Sequence, residues 1–155
     1  MTLEVACSRL GIAIDSRDPL LLVDAVRCDE DSIGVHNGCL LICASDEFQF
    51  FVEPLSDLAT RMLDAFHDGQ GCAVYYYSTP GLYGYAHFKG RLTLRVKYGS
   101  HDKVWVDVGA SMSYEGPWSE ERSIEGLTEQ VIGMPLPQLL EKEIPMFPFQ
   151  LIGRR

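Results

Sequence analysis

Apolar and polar residues alternate along "RLTLRVKY", Arg91 to Tyr98. Leu92, Leu94, Val96 and Tyr98 fall on one side, and Arg91, Thr93, Arg95 and Lys97 on the other. A period of two is that of a strand with one buried and one wet face, the habit of antiparallel sheets. The next segment, "VWVDVGASM", answers with Val104, Val106, Val108 and Ala110 inward and Trp105 and Asp107 outward. Gly99 to Lys103 supply the turn. Keeping both apolar sets on one face requires partner numbers that sum to an even value. A register that leaves a three-residue loop predicts Arg95 opposite Asp107 and Lys97 opposite Trp105, a charge pair and a cation–π pair.

Upstream, strand-like segments fill the first third. "LLLVDAVRC" (Leu20 to Cys28) is apolar and β-branched, "SIGVHNGCLLICA" carries the hairpin dipeptide Asn37-Gly38, and "EFQFFVE" puts Phe48 and Phe50 on one face. The period then lengthens. Leu55, Leu58, Ala59, Met62, Leu63 and Phe66 form one helical stripe, with Pro54 suited to the first turn and Gly69 to the stop. Asp57, Arg61, Asp64 and Asp68 fall on its wet face. "CAVYYYS" reads as a strand and "TPGLYG" as a loop. "YAHFKG" then resumes the sheet. After the polar "SYEGPWSEERS", the segments "IEGLTEQVIGM" and "PLPQLLEKEI" read as helices broken at Pro135 and Pro137, with Ser123 as cap and Glu125 in the first turn. The tail "PMFPFQLIGRR" reads as a packed extended arm.

These elements predict a single α+β domain over residues 1–155. It holds a twisted antiparallel sheet, one central amphipathic helix at about 54–68, and C-terminal helices packed on one side.

Composition narrows the function classes. Twenty-two acids stand against 13 Lys and Arg, a formal net charge of −9. Such a surface repels a nucleic-acid backbone and attracts a basic partner. "MTLEVACSRL" has an acid and no long apolar core, so it does not read as a signal peptide. Runs such as "PLLLV" fall far short of the roughly 18 apolar residues a spanning helix needs, so no membrane partner is expected. An odd set of five cysteines, Cys7, Cys28, Cys39, Cys43 and Cys72, reads as reduced thiols in a cytoplasmic protein.

No catalytic or cofactor motif stands out. Cys39 and Cys43 on one strand face lie about 13 Å apart, too far to share a zinc ion, so no metal is expected. His36, His67, His87 and His101 fall in separate elements. Cys72 follows His67 closely enough for the two to meet as nucleophile and base. The glycines of "GLYGYAHFKG" do not make a phosphate loop. "CDEDS" reads as a solvated acidic loop. No cofactor is expected.

The tyrosines and one acidic loop remain. Tyr75, Tyr77, Tyr83, Tyr85 and Trp105 are expected to lie with Arg95 on one outer sheet face, as aromatic anchors for a protein partner. "SYEGPWSEER" places Trp118 among Glu115, Glu120 and Glu121, a setting suited to a cationic partner.

The run "FFVEPLSDLATRMLDAF" ending at a glycine, then "GRLTLRVKY", "VWVDV" and "LPQLLEKEI", resembles the small bacterial immunity proteins that neutralise polymorphic or contact-delivered toxins. The resemblance spans roughly residues 48–143 and is one of architecture. It implies an acidic cytosolic binder that occludes a toxin's active site, with no catalytic residue to carry over. Two other functions fit the sequence. One is an acidic, dimeric secretion chaperone for an effector protein, with the Leu55 to Phe66 stripe as dimer face. The other is a small enzyme or ligand-binding protein with a site assembled from His67, Cys72, His87 and an acid.

Overall fold

The computed structural model describes residues 1–15, 18–28, 30–77 and 81–153. In chain order these form α1 (Leu3–Leu10), β1 (Ile12–Ile14), β2 (Leu20–Leu21), α2 (Leu22–Ala25), β3 (Ser32–His36) and β4 (Cys39–Cys43). A 3₁₀ turn (Glu47–Phe50) leads to α3 (Asp57–Ala65), β5 (Gln70–Tyr77), β6 (Leu82–Lys89), β7 (Leu92–Ser100) and β8 (Val104–Val108). Then follow α4 (Glu120–Ile132), α5 (Leu136–Leu140) and β9 (Pro145–Leu151). The expected α+β class is found. The chain makes two compact units, 1–46 with 140–155, and 47–139.

The first unit is built on β9. This strand pairs antiparallel with β1, β2 and β3, and β3 pairs with β4. The tail is thus extended and packed, as expected, but as an inner strand. The hairpin at Asn37-Gly38 is also as expected. Both residues hold positive φ, 49° and 76°, which is the demand of a type I′ turn and the reason for glycine there. Two readings fail in this region. The Leu20 to Cys28 segment is a two-residue strand followed by the short helix α2. The N-terminal segment, for which the sequence predicts no element, is a helix capped by Thr2 and ended by Gly11.

The second unit is a four-stranded antiparallel sheet in the order β5-β6-β7-β8. "EFQFFVE" does not form a strand. It makes the 3₁₀ turn, and with Val52 and Leu63 of α3 it packs Phe50 and Phe51 on one sheet face, against Ala86, Phe88, Val96 and Tyr98. The α3 helix starts later than expected, at Asp57, because Ser56 rather than Pro54 caps it by accepting from the Ala59 amide. Its stripe is buried at Leu58 and Ala59. Arg61, expected on the wet face, is 1% exposed and pairs with Asp57 one turn back at 3.0 Å.

The opposite sheet face lies under α4. Ile124 and Leu127 pack with Tyr114 onto Tyr83 and Tyr85. The α3 and α4 helices therefore cover opposite faces, and the one-sided packing expected for the helices does not describe them. The α4 cap is Ser119, whose side chain accepts from the Arg122 amide, and not Ser123, which is buried inside the helix. Leu82 to Gly84, expected as loop, belong to β6; residues 79–80 of that loop, and residue 78 of the expected strand before it, lie outside the described residues. No helix among the described residues is long and apolar enough to cross a membrane.

Candidate partner-binding surface

Pairing of β5 with β6 decides where the tyrosines point. Tyr76 lies opposite Tyr83, and Tyr75 opposite Gly84. Side chains alternate along each strand, so Tyr76, Tyr83 and Tyr85 share the α4 face while Tyr75 and Tyr77 occupy the other. The single outer face expected for Tyr75, Tyr77, Tyr83, Tyr85 and Trp105 does not exist. Tyr83 and Tyr85 are 1% and 0% exposed, because α4 and Tyr114 cover them.

Beneath α4 the buried tyrosines join a charged cluster. Arg95, expected on a wet face, is buried. Its Nε donates to Glu115 Oε2 at 3.0 Å and its Nη2 to Glu115 Oε1 at 2.9 Å, while Nη1 bonds Asp107 and the Val108 carbonyl. Tyr85 donates to Glu115 at 2.9 Å, and the Met112 amide donates to the same carboxylate at 2.6 Å. Burial alone would raise the Glu115 pKa, but the Arg95 bonds, the Met112 amide and the Tyr85 hydroxyl outweigh it and hold it below the usual carboxylate range. Burial first, and then the Glu115 hydrogen bond, push the Tyr85 hydroxyl far up, so it remains a donor. Tyr83 is pushed up to about 12 by burial and by the Glu120 and Asp107 carboxylates.

The β7–β8 register keeps the required parity from Val96 to Tyr98 but is displaced by one pair; it loses parity at Gly99–Val104, and Val104 and Val108, expected inward, are 44% and 51% exposed. Val96 faces Val108, Lys97 faces Asp107 and Tyr98 faces Val106, with an irregularity before Gly99. Arg95 still reaches Asp107, on the diagonal. Lys97 does not meet Trp105. Its ammonium bonds Glu120 at 3.1 Å and stands 6.0 Å from the Tyr83 ring centre. Two open depressions sit beside this cluster, one of about 240 Å³ beside Glu115 and one of about 170 Å³ beside Tyr83, both walled by Glu120. Each is smaller than the roughly 300 Å³ at which ligand pockets begin.

The His67–Cys72 meeting is replaced by another. Cys72 lies opposite His87 on β6. His67 Nδ1 contacts the carbonyl of Asp64 in its own helix end. His87 is buried, with Nε2 3.1 Å from Gln70 Oε1 and Nδ1 3.3 Å from the Tyr114 hydroxyl. Gln70 oxygen can only accept, so Nε2 carries the proton and Nδ1 accepts from Tyr114. Burial lowers the His87 pKa and keeps the ring neutral. Among the described residues no cluster of His, Cys, Asp or Glu could hold a metal ion. The five cysteines are free thiols, and burial pushes Cys43 up to about 11.

The large rings left outside are elsewhere. Tyr98 is buried and stacks on Phe51; its ring centre is 5.6 Å from Phe48 and 5.4 Å from Trp105. Phe48 and Trp105 remain 49% and 48% exposed. Tyr77 is exposed at the end of β5, whereas Tyr75 is half-buried against the Phe51 cluster. In the acidic loop, Trp118 donates its indole N–H to the Tyr114 carbonyl, and the Arg122 guanidinium lies 5.1 Å from its ring. Glu115 and Glu120 are spent on Arg95 and Lys97, and only Glu121 is exposed. Sequence reasoning missed Phe48 as an exposed ring, and Glu47, which accepts from the Tyr98 hydroxyl at 2.9 Å across 51 residues. No local signal announces a pair so far apart in sequence. No protein-family model, no curated protein and no solved structure matches the chain.

Proposed function

We propose that this protein is a non-catalytic binding protein, an immunity-type inhibitor that occludes a cognate bacterial toxin. The observation that carries the reading is the pair Phe48 and Trp105. Both are held by the buried ring of Tyr98, yet each leaves about half its surface outside. Rings fixed in advance lose little entropy on docking, and aromatic residues dominate the energetics of protein interfaces. The net charge of −9 suits a basic partner and makes association sensitive to salt. The stripe of α3 is less suited to a chaperone dimer face, because Leu58 and Ala59 are already covered within the single chain.

The test is affinity capture from the source lysate at low and high salt, with the wild type and a Phe48→Ala/Trp105→Ala variant. The reading expects one stoichiometric protein, weakened by salt, lost with the variant, and inactivated on adding the purified wild type. Equal capture by the variant, or a captured protein whose activity is untouched, overturns it.

A further inference from the structure

The four-stranded sheet has two edges, β5 and β8. Strand β8 is guarded in ways common to native edges. It is five residues long, its register is irregular near Trp105, and it carries Asp107, turned back onto Arg95. Strand β5 has none of these guards. It runs eight residues, "QGCAVYYY", with no charge and no proline, in unbroken register with β6. A long, regular, uncharged edge is a template for another strand.

Acids flank this edge on both faces. On one face Tyr75, Gly84 and Tyr98 lie side by side across three strands. A Cβ on Gly84 would come within 2.8 Å of Tyr98 and 3.1 Å of Phe51, so that position has no room for a side chain. Glu47, held by the Tyr98 hydroxyl, thereby stands on the Tyr75 side. On the other face Tyr76 packs against the cluster that holds Ile124 and Leu127 of α4, the helix in whose first turn Glu121 is exposed. The Tyr75 and Tyr76 hydroxyls are raised by burial first and then by Glu47 and Glu121 respectively, which agrees with that placement.

We propose that β5 receives an extended, basic segment of the partner protein by antiparallel or parallel strand addition, with Lys or Arg at adjacent positions reaching Glu47 on one face and Glu121 on the other. Adjacent residues of a strand point to opposite faces, which matches the two acids. A second copy of this chain is the less favoured occupant, because it would bring two chains of net charge −9 together edge to edge. The inference rests on the protein-binding reading above, but it uses the edge away from Trp105.

The test uses a synthetic peptide of ~10 residues, Thr and Val alternating around a central Lys-Lys, a length typical of long strands. Its controls are the same peptide with Glu-Glu, and a form N-methylated at alternate backbone nitrogens. Binding is followed by anisotropy, and amide hydrogen exchange is read by NMR over Gln70–Tyr77. The Lys-Lys peptide is expected to bind and to slow exchange at alternate β5 amides by about tenfold or more. Glu121→Lys should weaken binding about threefold, and Glu47→Lys/Glu121→Lys about tenfold. Protection at β8 or nowhere, equal binding of the acidic or methylated peptide, or a free protein already dimeric with protected β5 amides overturns the proposal. Failure here with Trp105-dependent capture intact removes strand addition alone; loss of that capture removes the binding reading as well.

Discussion

Arg95 and Glu115 meet through two parallel hydrogen bonds, 3.0 and 2.9 Å long, on the side of the sheet that also carries Tyr85. Their side chains are 4% and 11% exposed. A pair that far from water stabilises only as a pair, since either member alone is a buried, uncompensated charge. Glu115→Ala is expected to cost about 3–5 kcal/mol, and Arg95→Met/Glu115→Leu clearly less than the sum of its single changes. Urea denaturation of the wild type, Glu115→Ala, the two single changes and the double variant checks this. Additive losses would show that the two residues act independently.

Stability should fall with acid in two stages. His87 has a lowered pKa in the fold, so below its ordinary value of 6.5 the unfolded chain binds the extra proton first. Stability then drops as pH falls from near 7. Glu115 is also lowered, so its contribution is intact above the ordinary value of 4.5 and disappears as pH falls through its folded value. The upper stage should vanish in His87→Gln while the lower one persists. Chemical denaturation from pH 8 to pH 3 measures both; an unchanged upper stage in His87→Gln would refute the assignment.

Gly84 leaves space that Tyr98 and Phe51 occupy. Gly84→Ala would force its new methyl to within 2.8 Å of the Tyr98 ring. A loss of about 1–3 kcal/mol is expected, the usual cost of overpacking. The near-ultraviolet signal of the Phe51–Tyr98 stack should change with it. Wild-type stability and spectrum in this variant would mean that the stack is free to shift.

Trp105 separates stability from binding. It is half exposed on an edge strand, so Trp105→Ala should alter unfolding free energy by only about 1 kcal/mol. Loss of a central aromatic anchor should weaken the complex by about 2 kcal/mol or more. Denaturation and calorimetric titration of the captured partner measure the two quantities. A partner affinity unmoved by the change would place the contact elsewhere.

How much of this was legible beforehand depends on the range of the physics. Turn chemistry is local. Asn37-Gly38 needs no distant partner to demand positive φ, and the hairpin follows. The stripe from Leu55 to Phe66 is likewise a property of its own segment, though Ser56 rather than Pro54 sets where the helix begins. The parity of the β7–β8 pairing beside Val106 was legible because a slip of one residue would turn Val106 away from the Phe51–Tyr98 cluster it packs on. Its displacement by one pair was not, since a period of two is unchanged by a shift of two residues.

The candidate surface was legible in part. Sequence marked Trp105, Trp118 and Tyr77 as aromatic candidates, and all three are exposed. It also marked Tyr83 and Tyr85, which are buried, and read Arg95 and Lys97 as solvated. Alternation says that a strand has two faces. It cannot say that Glu115 and Glu120, about twenty residues further on, will fold back over Arg95 and Lys97 on the polar one. By itself the sequence determined the α+β class, the hairpin, the amphipathic helix and the acidic charge, all set by neighbours along the chain. Only the tertiary structure decided that α3 and α4 cover opposite faces of the sheet, that Glu115 meets Arg95, and that β5 is left as an edge. Those outcomes depend on which distant segments pack together, and burial far along the chain carries no local signature.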